Sequence, residues 1–115
     1  MASPKFATGE VTVDLAGTTY TLRPTLQAAR ALGRDFGGFA PLLQRIRDLD
    51  LDAYVAVIVQ GAALERREAK EVPDLVWQSG MIDLLAPTTE FVMILANGGR
   101  PLGDEPKVEA DASGN

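Results

Sequence analysis

Three aspartates at alternate positions, Asp48, Asp50 and Asp52, are the nearest this sequence comes to a metal-ligating pattern. A calcium loop also spaces oxygen ligands two residues apart, but it needs glycine at its sixth position and glutamate at its twelfth. Counted from Asp48, those positions hold Ala53 and Val59. Aspartates just ahead of a helix cap its free N–H groups and sit at the positive end of its dipole, and capping is the role read for them here. Gly33, Gly37 and Gly38 form neither a dinucleotide-binding fingerprint nor a P-loop, and they follow a helical pattern rather than a strand, so they read as a helix end. Ser79 is the only serine away from the ends of the sequence; as a nucleophile it would need Lys70 or a carboxylate as base, and the local sequence supplies no such pair. Carboxylates of a glycosidase type need only meet in space, yet a short helical domain leaves little room for a substrate cleft, and the charged residues read as a solvated face. The sequence has no cysteine and no histidine, which removes disulfides, zinc sites of thiolate or imidazole, cysteine nucleophiles and histidine bases. No catalytic, cofactor-binding or metal-binding residue is expected, and the chain is read as a non-enzyme.

The elements that position these residues must fit within 115 residues, room for one domain. Apolar residues are 46% of the chain, enough for a core. Eleven basic against sixteen acidic residues leave a net charge of −5, so nucleic acid, whose nonspecific affinity comes from Lys and Arg releasing counterions, is not an expected partner. The residues from Met1 to Phe6 hold no apolar stretch of signal-peptide length. The apolar run Phe91 to Ala96 is far below the roughly 20 residues of a membrane helix. No membrane association is expected, and the cytoplasm is the expected compartment.

Val11, Val13 and Leu15 alternate with Glu10, Thr12 and Asp14, and Tyr20 and Leu22 alternate with polar neighbours after Ala16-Gly17. That period of two predicts a β-hairpin over residues 9–23. An isolated hairpin is marginal in water, so its apolar face must rest on the rest of the chain. Pro24 ends the second run and Thr25 is the expected N-cap of a helix burying Leu26, Ala29, Leu32 and Phe36, closed by Gly37-Gly38. A second helix begins near Phe39 and puts Phe39, Leu42, Leu43, Ile46 and Leu49 on one side. A third is expected from Leu51 to Arg67. Pro73 and Asp74 start a short helix over Leu75–Gln78. Met81–Leu85 adds a turn or two, and Pro87 opens a last helix that Asn97-Gly98-Gly99 closes. The expected organisation is a flexible segment 1–8, a single α+β domain over 9–99, and a disordered acidic tail over 100–115 that carries Asp104, Glu105, Glu109 and Asp111 against Lys107.

The third helix carries two apolar stripes. Leu51, Tyr54, Val55, Ile58, Val59 and Ala62 form the main one; Ala53, Val57, Gly61 and Leu64 form a second, displaced around the cylinder. Such a helix is either surrounded by its own domain or shared with a neighbour. The second stripe is the expected face for a partner or for self-association, with Gly61 allowing close approach and Trp77 as the next anchor. Tyr54 and Trp77 are otherwise read as core-filling residues.

The run from Gly9 to Leu26, Gly-Glu-Val-Thr-Val-Asp-Leu-Ala-Gly-Thr-Thr-Tyr-Thr-Leu-Arg-Pro-Thr-Leu, resembles the opening hairpin of small tail proteins of phages and gene transfer agents. In that tail assembly chaperone family such a hairpin precedes a Leu- and Ala-rich helical part, and the resemblance covers roughly residues 9 to 99. The chain departs from it at Ala29-Arg30-Ala31-Leu32-Gly33, where an acidic residue is expected. The resemblance implies a non-catalytic chaperone that coats the tape-measure protein until tail-tube subunits polymerise around it, with those proteins as partners and homo-oligomerisation open. The alternatives are a structural subunit retained in a phage-like tail particle and, behind it, a small ligand-binding module or enzyme.

Overall fold

A computed structural model describes residues 9–103. Within them two antiparallel strands, β1 (Val11–Leu15) and β2 (Thr18–Leu22), precede six helices: α1 (Leu26–Phe36), α2 (Phe39–Arg47), α3 (Leu51–Gly61), the single turn α4 (Arg66–Ala69), α5 (Val72–Ser79) and α6 (Met81–Ala96). This is the α+β fold that the change of period near Pro24 predicts. The segment 1–8 and, beyond Gly103, the acidic tail lie outside the described residues.

The hairpin register pairs Val11 with Leu22, Val13 with Tyr20 and Leu15 with Thr18. Ala16 and Gly17 make the two-residue turn, with φ of +51° and +93°. Positive φ at both positions matches the twist of the strands, at the expense of holding an alanine where glycine or asparagine is favoured. Val11, Val13, Leu15 and Leu22 are buried and Tyr20 half-buried, so one face of the ribbon is apolar and dry. β1 rests on α5 and α6, and β2 on α3.

Thr25 caps α1 as expected, its hydroxyl accepting from the Ala28 N–H at 3.0 Å. Asp50 caps α3, accepting from the Asp52 N–H at 3.1 Å, and it also pairs with Arg45 at 2.8 Å. Capping thus accounts for Asp50, and no cluster that could hold a metal occurs among the described residues. α1 buries Ala28, Ala31 and Leu32, with Ala29 and Phe36 packed beside them; Leu26, expected inside, faces water at 73% exposure. Its place at the first helical position, one residue after the cap, points it off the edge of the core.

Several helix boundaries differ from the sequence expectation: α5 starts at Val72 rather than Leu75, Leu49 lies past the end of α2, the turn α4 was not expected, and the largest differences are at α3 and α6. α3 stops at Gly61 rather than Arg67. Ala63 takes a left-handed conformation, φ +53°, and the Leu64 N–H returns to the Val59 carbonyl at 3.0 Å, closing the helix with a motif that glycine usually provides. α6 is continuous through Pro87, which was expected to start it. Proline in a helix interior removes one hydrogen bond and is disfavoured by about 3 kcal/mol. Six buried residues, Leu84, Thr88, Phe91, Val92, Ile94 and Leu95, hold the helix in place across it. The Thr88 hydroxyl is itself buried without a hydrogen-bond partner among the described residues.

The core gathers between α3 and α6. α2 packs on α6, α3 on α5 and α6, and α1 on α2 and α3. The Tyr54 hydroxyl donates to the Ile46 carbonyl at 2.7 Å, tying α3 to the last turn of α2. Burial pushes that phenol's pKa above its ordinary value.

Candidate interaction surface

Ala53, Val57 and Gly61, expected to face a partner, are all buried inside the domain. Leu64 is half-buried and packed against the same core. The two-sided helix is therefore the surrounded kind: α1, α2, α5, α6 and β2 all pack on α3. The close approach that Gly61 allows is real, but its neighbours are Leu22 and Phe91 of the same chain, each 3.0 Å from where a Cβ on Gly61 would stand.

Trp77 is the exception among those residues. It is 70% exposed, and its reading as core filler is corrected. α5 is an amphipathic helix that buries Val72 and Val76; Trp77, next in sequence, is turned about 100° away and out into water. Ile82, in the first turn of α6, is 69% exposed. The two stand on either side of Gly80, whose φ of +88° makes the sharp corner between α5 and α6. Ser79 lies in this corner too, and its hydroxyl accepts from the Ala16 N–H of the hairpin turn at 2.9 Å. Ser79, set aside as a nucleophile for want of a base, thus ties the hairpin turn to the α5–α6 corner.

A corner carrying an exposed indole and an exposed isoleucine offers what a protein partner grips: large apolar side chains with area left to bury. Ile82, Met93 and Leu102 are exposed apolar residues that the sequence reading did not single out. The signal for Ile82 was in the sequence, since it falls about 160° around α6 from Leu84, opposite the buried stripe. No helix among the described residues is long and apolar enough to cross a membrane.

Comparison with protein-family models, with curated proteins and with solved structures finds no match to this chain.

Proposed function

We propose that this chain is a non-catalytic tail assembly chaperone of a phage or gene transfer agent, binding the tape-measure protein in the bacterial host cytoplasm during tail morphogenesis. The observation that carries this reading is the α5–α6 corner, where Trp77 and Ile82 stand exposed on a small domain whose core is otherwise filled. A chaperone of an elongated apolar partner needs such a surface and needs no reactive group behind it. The hairpin followed by helices is also the arrangement that the sequence resemblance implies.

Co-expression with a tape-measure protein from the same particle tests it. The chain should keep that protein in the soluble fraction, and Trp77→Ser with Ile82→Ser should abolish the effect while leaving circular dichroism unchanged. Trp77 is the sole tryptophan, so its fluorescence should shift to the blue on binding. A tape-measure protein that stays insoluble with either form would overturn the proposal. Recovery of the chain in finished tails at a fixed stoichiometry would instead favour the structural-subunit alternative.

A further inference from the structure

α6 is a two-sided helix of which the domain covers only one side. The covered side is the buried stripe, packed by α2, α3, α5 and β1. The other side carries Ile82, Ala86, Thr89, Met93 and Ala96, separated by four, three, four and three residues. That is the spacing of a helix–helix seam, and it runs about 21 Å along α6 without a charge. Ile82 of the α5–α6 corner is its first residue. Met93 is 40% exposed, Ala86 and Ala96 are exposed too, and Thr89 is half-buried. A helix apolar on every side is ordinarily enclosed. α3 is enclosed within the domain, whereas the outer line of α6 stands in water.

One edge of that line is acidic. Asp83 and Glu90 each follow a seam residue and stand on the same side, about 100° around the helix from Ile82 and Thr89. Both are exposed, and neither pairs with a described Lys or Arg. Charges flanking such a seam decide which helix it accepts. A second copy is a poor occupant. Antiparallel pairing would set Asp83 and Glu90 against their own counterparts, between two chains that each carry a net charge of −5. A lipid surface fits no better, since helices that lie on membranes carry Lys and Arg beside the apolar face. We propose that the outer face of α6 binds an amphipathic helix of another protein, with an apolar seam of its own and Lys or Arg along the edge that meets Asp83 and Glu90. The proposal deepens the chaperone reading and rests on it for the protein that supplies this helix.

Two synthetic peptides of about 20 residues, long enough to be helical, test it on the full chain. Both carry the same apolar seam, flanked by Lys in one and by Glu in the other. The Lys-flanked peptide should bind and shift the amide signals of residues 82–97, sparing those of α1; the Glu-flanked peptide should not bind. Ala86→Arg, at an exposed position, should weaken the first by about tenfold or more with circular dichroism unchanged. Asp83→Lys with Glu90→Lys should exchange the preference between the peptides, which a structural role for either residue would not do. Binding of both peptides alike, of neither, or at another face would overturn the proposal. So would a dimer of the chain alone that Ala86→Arg dissolves, since a second copy would then be the occupant. A tape-measure protein kept soluble by the Ala86→Arg chain would overturn the α6 proposal and leave the chaperone reading standing. Selective binding of the Lys-flanked peptide, with a tape-measure protein that stays insoluble, would uphold the α6 face and overturn the chaperone reading alone.

Discussion

The Cβ of Leu22 lies 3.0 Å from the point where a side chain on Gly61 would begin, and the next backbone N–H, that of Arg23, donates to the Gly61 carbonyl at 2.9 Å. One hydrogen bond thus fixes the end of β2 against the last residue of α3, and the missing side chain is what lets the strand reach it. Phe91 of α6 closes on the same point from another direction.

Gly61→Ala should therefore destabilise the fold. Alanine gains up to about 1 kcal/mol of helix propensity over glycine, whereas forcing an extra methyl into a filled core costs about 1–3 kcal/mol. The second effect wins here because the Arg23 hydrogen bond keeps Leu22 from retreating. Urea titration should show a net loss of about 1–2 kcal/mol; an unchanged midpoint would mean that the strand is free to move.

Ala63→Gly should act in the opposite sense. Ala63 is exposed and holds φ +53°, so its methyl contributes strain and no packing. Glycine relieves about 1 kcal/mol at such a position. The melting temperature should rise by several degrees. Ala16→Gly in the hairpin turn should behave alike, and a fall in either variant would contradict the left-handed assignment.

Val57→Glu should unfold the monomer rather than disrupt an association. Val57 is fully buried, and a carboxyl there must either ionise in the core or be protonated without partners. A cost above about 4 kcal/mol is a large part of a domain's total of about 5–15 kcal/mol. Retained helical circular dichroism at 25 °C, with normal melting, would put Val57 back on the surface.

Tyr54→Phe tests both the bond to Ile46 and the alkaline limb of stability. Removing the hydroxyl should cost about 0.5–1.5 kcal/mol at neutral pH. Burial raises the Tyr54 pKa above its ordinary 10.0, so the unfolded chain loses its proton first. The stability that this tyrosine adds is whole below about pH 10 and is lost as pH climbs from there through the folded-state pKa. Denaturant midpoints taken at neutral pH and above pH 10 should fall more steeply for the wild type than for the variant. Equal slopes would exclude Tyr54 as the responsible group.

Helix ends show how far the sequence alone determines this protein. Four helices finish with the same device, a left-handed residue followed by an N–H that reaches back five residues, at Gly37, Leu49, Ala63 and Gly98. Gly37 and Gly98 announce the ends of α1 and α6, because glycine pays no steric penalty there. Ala63 gives no such signal, and so α3 reads six residues too long. Its left-handed turn is held from outside the local sequence, by Leu64 packing back on the core. The period-two pattern likewise determined the hairpin and its apolar face, since alternation is a property of the strand itself. Which side of α3 is covered was decided only by the tertiary fold. Periodicity places Val57 and Trp77 on apolar or amphipathic faces alike, but other elements close over α3 and bury the first, whereas no described element covers the side of α5 that carries the second. Burial depends on what packs opposite a residue, and that partner is distant in sequence.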